Sequence, residues 1–325
     1  MIVIDTLVKL EEAALSNLVV ALGNFDGVHL GHRKLLTEAL DKARELRARS
    51  AVITFEPHPL KVIDPSRFPK LLTTVEQRIE HFAAMGIDIV VLLPFNKELS
   101  GLTPREFAQN VLQKKLGAIH ACVGFNYTFG RGGKSGPEEL RSLGKELGFG
   151  VSEVTPQAVE GVLVSSTEIR ACLEQGDIER AQKYLGYWPS VAGIVVSGDR
   201  RGRTLGYPTA NVQPPADNLV PARGVYAGWV KYRNRQYPAM VNIGLKPTFK
   251  DSDESTIEAH IFDFDKDIYE ENVEVVFRLR LREEQKFADI KQLLIQLELD
   301  AQETCKVLQY IKYPYSNNNK EYLSV

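Results

Sequence analysis

The hydrophobic pattern of this chain changes character close to Gly186-Tyr187-Trp188-Pro189, and that change limits the folds open to it. Before it, continuous apolar segments such as LVVALG (18–23) alternate with segments that carry apolar residues at helical spacing, such as HRKLLTEALDKARELRAR (32–49). Beyond it, segments such as NVEVVFRLRLR (272–282) alternate apolar and polar residues with period two. Two different architectures are therefore expected in one chain.

A chain of 325 residues is too long for one ordinary hydrophobic core, so the change of pattern predicts a domain boundary. We expect an N-terminal domain of residues 1–185 and a C-terminal domain of residues 186–325. In the first, apolar strands separated by helices predict an α/β fold with a parallel sheet covered on both faces. Ligands of such sheets bind beyond the carboxyl ends of the strands, so residues that directly follow a strand are the candidates for a site.

The period-two segments of the C-terminal domain predict an antiparallel β-barrel, followed by a terminal helix within residues 287–311. In the last strand we expect the apolar residues on one face: Val273, Val275, Phe277, Leu279 and Leu281. Arg278, Arg280 and Arg282 are expected mostly on the other face. A solvated strand surface explains this basic face as well as a nucleic-acid partner does.

The composition predicts a soluble, cytoplasmic protein with no nucleic-acid or membrane partner. A formal net charge of −2 argues against a broad electrostatic grip on nucleic acid or acidic lipid. No apolar run approaches the roughly 18 residues that a membrane span needs, and the start lacks the layout of a secretory signal. The three cysteines, Cys122, Cys172 and Cys305, have neither metal-binding nor disulfide spacing. The oligomeric state stays open, a homo-oligomer included.

A first candidate site lies where the strand at 18–23 gives way to a helix, in the segment GNFDGVHLGH (23–32). Gly27 and Gly31 let a ligand approach the backbone closely. The start of the helix offers free N–H groups and a partial positive charge, which suit a phosphate. His29 and His32 add two side chains that can donate hydrogen bonds to phosphate oxygens. The segment therefore favours a phosphate site.

Two alternatives exist for the same residues. Asp26, His29 and His32 are all metal-ligand types, but the spacing of zinc enzymes and a clear further ligand are missing. The histidines are also compatible with an ordinary turn. The convergence of glycines and histidines at a helix start favours phosphate over both alternatives.

The segment resembles the HxGH signature of the nucleotidyltransferase superfamily, and its whole run resembles the FAD synthetase branch. Three further segments are similar to that branch in the same order: TFEPHP (54–59), GFNYTFG (124–130) and SSTEIR (165–170). The resemblance implies a Rossmann-like nucleotidyltransferase domain that transfers the adenylyl group of ATP to FMN and makes FAD.

By this resemblance, His29 and His32 stabilise the transition state in which an FMN phosphate oxygen attacks the α-phosphorus of ATP. Arg170 is counted with them as catalytic, because its planar guanidinium suits a phosphate. The nucleophile is already ionised, so positioning and charge stabilisation suffice for this step. The resemblance assigns ATP contacts to Gly23, Phe25, Asp26, Gly27, Gly31, Ser165 and Thr167. A plain helix N-cap also explains SSTEIR, and a capped helix start is itself a phosphate site.

The segment at 124–130 is expected to contact the flavin, and the resemblance points to Asn126 and Phe129. Asn126 stands where an acidic residue is commoner in that branch. Phe125, Tyr127 and Phe129 alternate, so an extended segment would put them on one face. Core packing and flavin contact are both open for these three rings.

A second candidate site is the glycine- and arginine-rich segment GDRRGRTLGYPTAN (198–211), which follows a strand directly. Its glycines and arginines suit an anion. Thr209 and Asn211 are two residues apart in extended chain, so their side chains face the same way. Two neutral oxygens together with ATP phosphates and water suit Mg²⁺.

This segment resembles the riboflavin kinase signature GxxRGRxLGxPTAN, and the resemblance continues to the end of the barrel segments. It implies ATP contacts by Gly198, Arg203 and Gly206, Mg²⁺ ligation by Thr209 and Asn211, and a flavin contact by Asn242. Glu258, in TIEAH (256–260), stands where that family places its general base. By pattern alone Glu258 shares a face with His260 and Phe262, and a lone strand glutamate is more often an exposed charge.

Together the resemblances imply a bifunctional enzyme that phosphorylates riboflavin to FMN and adenylylates FMN to FAD, with ATP as co-substrate of both steps. One alternative is a riboflavin kinase with an inactive first domain. Another is a non-catalytic regulator that senses flavin or binds RNA. His29, His32 and Arg170 argue against an inactive first domain. Glu258, Thr209, Asn211 and the two histidines argue against a sensor, since a sensor needs binding but no base.

Overall fold

The computed structural model describes residues 1–6, 9–10, 13, 15–198, 202, 205–233, 235–245 and 255–309. The chain forms two compact units. The first unit comprises Met1–Lys70 and Thr74–Ser165, and the second comprises Leu71–Thr73 and the chain from Ser166 onward. The structural division thus falls at Ser165, and the expected boundary between functional modules at residue 185 stays a prediction.

The first unit is built on a six-stranded parallel sheet with the order β1-β4-β3-β2-β5-β6. Its strands are β1 (Ile2–Ile4), β2 (Leu18–Leu22), β3 (Arg49–Glu56), β4 (Ile89–Pro94), β5 (Ala118–Gly124) and β6 (Gly150–Val154). A small antiparallel pair follows, β7 (Ala158–Val159) with β8 (Val162–Leu163). The predicted parallel α/β sheet is confirmed. The apolar pattern did not reveal β1, which pairs with β4 at the edge of the sheet.

The helices of the first unit connect the strands. They are α1 (Leu30–Glu45), α2 (Pro59–Ile63), α3 (Val75–Met85), α4 (Lys97–Gly101), α5 (Pro104–Glu106) and α6 (Pro137–Leu147). Short 3₁₀ turns lie at Pro65–Arg67 and Arg131–Gly133. Helix α3 illustrates why they form where they do. Thr74 and Gln77 make a reciprocal capping box at its start, and Gly86 ends it with a left-handed φ of 85°.

The sheet is covered on both faces, as the continuous apolar strands predict. In β2, Leu18, Val20 and Leu22 belong to one hydrophobic cluster, while Val19 and Ala21 belong to another. Both clusters are filled by side chains of the flanking helices, among them Leu36 of α1 and Leu140 of α6. Burial on both faces leaves the strand ends as the place where a ligand reaches the sheet.

The segment TPREFAQNVLQKKLG (103–117), in which a Thr-Pro start precedes apolar residues at helical spacing, is helical, but most of it is wound as a π-helix, Phe107–Lys115. Thr103 caps its start through Glu106, in agreement with the Thr-Pro signal. The apolar residues Phe107, Ala108, Val111 and Leu112 are buried. Helical spacing alone does not distinguish a π-helix from an α-helix, so the sequence gives no sign of the wider winding.

The second unit consists of two helices, a barrel and a terminal helix. Its elements are α7 (Ser166–Gln175), α8 (Ile178–Leu185), β9 (Ser190–Val196), β10 (Ala210–Gln213), β11 (Gly224–Tyr232), β12 (Arg235–Leu245), β13 (Ser255–Ile261), β14 (Asn272–Arg282) and α9 (Ile290–Val307). The barrel closes in the order β10-β13-β12-β11-β14-β9 with antiparallel pairs throughout. The predicted antiparallel barrel and terminal helix are confirmed.

The barrel is filled by one side of its strands, and α9 packs on the other side. Fully buried residues such as Val241, Ala259 and Phe277 fill the interior. On the opposite side, Met240 and Phe262 form a cluster with Ala301 and Cys305 of α9, together with Tyr207 and Val225. We call this side of the barrel the helix face.

The alternation expected along β14 holds for Val273, Val275 and Phe277 and then fails. Two register shifts interrupt the pairing of β14 with β11, and Leu281 packs against the cluster on the helix face. The expectation that all five apolar residues share one face is therefore wrong. A β-bulge inserts an extra residue and reverses the facing of those that follow, which period-two counting does not detect.

The arginines of β14 do not form the solvated face that the sequence suggested. Arg278 stacks on Trp188, with its guanidinium carbon 4.2 Å from the ring centroid, and binds Glu179. Arg280 donates to the carbonyl of Arg223. Both side chains are less than a third exposed. These contacts lie within the second unit, so stacking and ion pairing inside the protein account for the two arginines.

Candidate active sites

The first candidate site lies at the topological switch point of the sheet. From β2 the chain proceeds to β3 and β4 on one side and later to β5 and β6 on the other. Leu22 pairs with both Ile53 and Val123, so the loops after β2, β3 and β5 leave the sheet at the same edge. The reversal of strand order opens the crevice in which α/β sheets bind their ligands.

The loop after β2 has an unusual backbone. Phe25, Gly27 and Val28 have positive φ angles of 53°, 82° and 34°. Positive φ at a bulky or β-branched residue is strained, and such strain clusters at ligand sites. The ring of Phe25 is fully buried and packs edge-on against Phe82. Because the ring is part of the hydrophobic core, only the main chain of Phe25 is left to contact ATP, and this contact stays a prediction.

His29 is the N-cap of α1, and its Nδ1 accepts a hydrogen bond from the main-chain N–H of His32 at 3.3 Å. A neutral His29 whose Nδ1 accepts carries its proton on Nε2, the atom that can donate to a phosphate oxygen. The rings of His29 and His32 stack with centroids 3.6 Å apart. Gly31 makes this possible, because a Cβ at that position would lie 3.1 Å from Cε1 of His29.

Burial makes His32 hard to protonate. This burial, followed by the electrostatic effects of His29 and Arg78, holds the pKa of His32 well below its usual value of 6.5. Among the residues that the structure describes, its buried Nδ1 has no hydrogen-bond partner. Asp26, also predicted for this site, is buried at the same helix start.

Arg78 is a functional candidate that the sequence did not reveal. Its side chain is buried, and Nη1 donates to the carbonyl oxygen of Asn24 at 2.9 Å and to Oγ1 of Thr54 at 3.3 Å. Nη2 binds the carboxylate of Glu56 at 3.2 Å. Arg78 thus holds the loop after β2 to the end of β3. The available signal was its helical spacing to buried Phe82, which places a charge on the apolar face of α3.

The SSTEIR segment is divided by the boundary between the units. Ser165 ends the first unit, and Val164 before it places its carbonyl oxygen 3.8 Å from the position of a Cβ on Gly31. Ser165 is therefore carried close to the start of α1. Thr167 and Arg170 lie in the first turns of α7 in the second unit. The helix expected at this motif is confirmed, and the roles of the three side chains stay predictions.

The segment after β5 is not extended, contrary to the expectation. The N–H of Tyr127 bonds to the carbonyl of Gly124, which makes a tight turn over Phe125 and Asn126. As a result Phe125 is exposed, Tyr127 is half-buried with its pKa raised by burial, and Phe129 is buried against Phe107. Core packing thus accounts for Phe129, while Phe125 and Asn126 are open to solvent.

The second candidate site is a row of side chains across the barrel. Asn211 of β10 pairs with Glu258 of β13, which pairs in turn with Asn242 of β12. Residues directly opposite in antiparallel strands point to the same side of the sheet. All three are partly exposed, whereas Ile257 and Ala259 beside Glu258 are fully buried inside the barrel. The register therefore brings together three residues expected from separate motifs.

The glycines of the loop before β10 are needed for its close packing. A Cβ on Gly198 would lie 2.2 Å from Nδ2 of Asn211, and a Cβ on Gly202 would lie 2.3 Å from the carbonyl oxygen of Tyr207 and 3.5 Å from Oγ1 of Thr209. Gly206 has a φ of 85°. Arg203, predicted to bind ATP, lies outside the described residues. The loop backbone thus lies directly against the two predicted Mg²⁺ ligands.

Beyond Glu258 the same strand face is closed. His260 is buried, its Nδ1 is 2.7 Å from the carbonyl oxygen of Pro208, and burial lowers its pKa. Its ring packs edge-on against Tyr207 and Phe262. The face shared by Glu258, His260 and Phe262 is confirmed, and Glu258 lies at its open end.

The donors fit a magnesium ion better than zinc. Thr209 and Asn211 offer neutral oxygens, which Mg²⁺ accepts when phosphates and water complete its shell. Over the described part of the chain, no cluster of three or more His, Cys, Asp or Glu side chains is arranged to hold a metal ion. Because Gly198 has no Cβ, the side-chain amide of Asn211 can lie directly against the backbone of the loop.

Comparison with known proteins matches the two parts of the chain to two different families. Residues 11–168 match the family model described as FAD synthetase, and residues 185–308 match the one described as riboflavin kinase. The bifunctional riboflavin kinase/FMN adenylyltransferase of Listeria monocytogenes is 38% identical over 89% of this chain and 91% of its own length. The proteins of that name from Bacillus subtilis and Escherichia coli are 37% and 34% identical, over 93% and 90% of this chain and 95% and 93% of their own lengths.

A solved structure of the same fold carries a different description. It is described as a macrolide-efflux protein from Streptococcus pneumoniae, with a TM-score of 0.83 and 34% identity over 94% of this chain and 99% of that one. Within the described ranges of this chain, no helix is long and apolar enough to cross a membrane.

Proposed function

Because the chain belongs to the bifunctional riboflavin kinase/FMN adenylyltransferase family, we propose that its two reactions take place at the two sites described above. The chain phosphorylates riboflavin to FMN with ATP, and it adenylylates FMN to FAD with release of pyrophosphate. The observation that carries the assignment of sites is the barrel register. It lines up Asn211, Glu258 and Asn242 in one row on the open end of the helix face.

In the kinase step, Glu258 is the general base. The 5′-hydroxyl oxygen of riboflavin attacks the γ-phosphorus of ATP, its proton passes to the Glu258 carboxylate, and the bond from the γ-phosphorus to the bridging oxygen breaks to release ADP. Asn242, next to Glu258 in the row, contacts the flavin. Gly198, Arg203 and Gly206 hold the phosphates through the loop before β10.

Thr209 and Asn211 are the residues that would hold Mg²⁺. The ion supplies charge neutralisation at the phosphate oxygens. The side chains themselves orient the phosphates relative to Glu258, since Asn211 is its direct neighbour across the strand pair.

In the adenylyl step, a phosphate oxygen of FMN attacks the α-phosphorus of ATP and the bond to the pyrophosphate oxygen breaks. His29 and His32 donate hydrogen bonds to phosphate oxygens as negative charge grows on them. Gly23, Asp26, Gly27 and Gly31 form the backbone cradle at the start of α1. Ser165, Thr167 and Arg170 hold the triphosphate, and the exposed Asn126 contacts the flavin. The flavin contact expected of Phe129 stays a prediction, because its ring is buried against Phe107.

The test separates the two steps in one molecule. Glu258→Gln should abolish FMN formation from riboflavin while leaving adenylylation of supplied FMN intact, because the amide keeps the shape but takes no proton. His29→Ala should give the reverse. Each variant is the control for the other, and both products are separated by chromatography. A Glu258→Gln enzyme that still phosphorylates riboflavin would remove the base assignment.

The remaining expectations stay predictions of the sequence. They are a cytoplasmic location, the lack of a nucleic-acid or membrane partner, and the open question of a homo-oligomer. The alternative with an inactive first domain predicts FMN as the sole product from riboflavin and ATP.

A further inference from the structure

The row that contains Glu258 continues to a residue that neither step uses. Val225 of β11 pairs with Asn242 on one side and with Arg282 of β14 on the other. The row therefore runs Asn211, Glu258, Asn242, Val225, Arg282 across five strands. Arg282 lies at its far end, at the point where β14 finishes.

Arg282 is bound to the terminal helix α9 by a forked ion pair. Its Nε is 3.0 Å from both carboxylate oxygens of Asp300, and its Nη2 is 2.7 Å from Oδ2. Asp300 is only 4% exposed and also accepts from Nε2 of Gln296 at 2.8 Å. A bidentate, desolvated pair fixes direction as well as distance, because both partners are planar.

A second contact ties the same turn of α9 to the other end of the row. The hydroxyl of Tyr207 donates to the carboxylate of Glu298 at 2.9 Å. Tyr207 belongs to the loop that leads to Thr209 and Asn211, and its N–H bonds to the carbonyl of Gly202. Glu298 and Asp300 thus connect α9 to both ends of the row, with Glu258 and Asn242 between them.

These two contacts lie where α9 changes from exposed to buried. Ile290, Ile295 and Leu299 are more than half exposed, whereas Ala301, Thr304 and Cys305 are buried. Packing fixes the second half of the helix. In the first half, Leu297 packs against the cluster on the helix face while Ile290 and Ile295 are exposed, so the direction of this half depends on that contact and on the bonds at residues 298 and 300.

We propose that Arg282 and Tyr207 are positioning residues for riboflavin phosphorylation, which hold α9 beside the barrel face that carries Glu258 and Asn242. The inference rests on the proposed placement of the kinase reaction at Glu258. Neither residue touches the reacting atoms, so their loss affects binding of riboflavin more than turnover.

The experiment measures KM and kcat for riboflavin in Arg282→Met, Asp300→Asn and Tyr207→Phe. We expect KM to rise about tenfold in the first two and less in Tyr207→Phe, with a smaller change of kcat. Arg282→Lys should recover part of the loss, since it keeps the charge but not the fork. Adenylylation of supplied FMN should be unchanged in all four.

Arg278→Met is the matched control, because it removes an ion-paired arginine from the same strand outside the row. Hydrogen exchange gives a readout besides activity: amides in residues 290–299 should exchange faster in Arg282→Met and Asp300→Asn, but not in Arg278→Met. Unchanged exchange there, or an equal rise of KM in Arg278→Met, overturns the proposal. Should Arg282→Met fail to fold, Asp300→Asn and Tyr207→Phe decide. The exchange result does not depend on whether Glu258→Gln is inactive. A failure of the kinase assignment at Glu258 can therefore be distinguished from a failure of the positioning role of Arg282 and Tyr207.

Discussion

At the scale of single residues, the most consequential side chain outside the recognised motifs is Arg78. It is buried beneath the loop after β2, and it binds a main-chain oxygen of that loop and the Glu56 carboxylate at once. A lysine at the same position keeps the charge but has one nitrogen and no fork, so it cannot hold Asn24 and Glu56 together.

Arg78→Lys should therefore lower the rate of adenylylation roughly 10- to 100-fold, because misplacement of a site by about an ångström has effects of that size. The rate of riboflavin phosphorylation should not change. Arg44→Lys is the control, since Arg44 makes the same kind of ion pair on an exposed surface. If Arg78→Lys adenylylates FMN at the normal rate, the loop does not depend on this guanidinium.

The contrast between Arg78 and the motif residues explains what the sequence predicts at this scale. His29, Gly31 and Thr209 were identified because their types stand in ordered patterns after strands, whereas Glu258 was identified through the resemblance of its segment to the riboflavin kinase family. Arg78 stands in an amphipathic helix, where one buried arginine resembles an ordinary surface charge. Its role arises from the approach of helix α3 to the loop after β2, a contact between residues 54 positions apart that no local pattern records.

At the scale of elements, the connection between α7 and α8 packs closely against the side chain of Arg280 on the barrel. A Cβ on Gly176 would lie 2.6 Å from Cδ of Arg280. The backbone of Gly224 lies close to the same side chain on another side, since a Cβ on Gly224 would lie 2.8 Å from Nε of Arg280. The arginine therefore has little room to move away from Gly176. Gly176 also has a φ of 77°, which side chains rarely adopt.

Gly176→Ala should therefore destabilise the second unit more than its backbone angle alone explains. Gly86→Ala is the matched control: Gly86 also ends a helix, has a φ of 85° and has open space around it. We expect about 1 kcal/mol for Gly86→Ala and about 1–3 kcal/mol more for Gly176→Ala, by urea unfolding. Equal losses would mean that Arg280 gives way without cost.

Elements were predicted where their period is regular and missed where it is broken. The strands β2 to β6 and the helices α1, α3 and α6 follow from apolar spacing and from caps such as Thr74 and Gly86. The π-helix at Phe107–Lys115 and the register shifts of β14 do not, because both change the winding or pairing without changing the apolar pattern. Arg282 owes its place in the row to those shifts.

At the scale of the whole molecule, three histidines are harder to protonate in the folded chain than in the unfolded chain. Burial lowers the pKa of His32 and His120 in the first unit and of His260 in the second, all below the usual value of 6.5. Below that pH these histidines bind protons more readily in the unfolded chain than in the folded chain. The free energy of unfolding therefore decreases as the pH falls. Above it both states are neutral and the term vanishes.

The free energy of unfolding should thus decrease between pH 7.5 and pH 5.5 in both units, by at most about 1.4 kcal/mol per pH unit for each histidine that stays neutral. Both tryptophans, Trp188 and Trp229, belong to the second unit, so their fluorescence follows its unfolding, while circular dichroism follows both units. His260→Asn should flatten the pH dependence seen by fluorescence. His120, only half-buried, contributes less than His32, and a pH-independent stability in this window would show that burial does not hold these rings neutral.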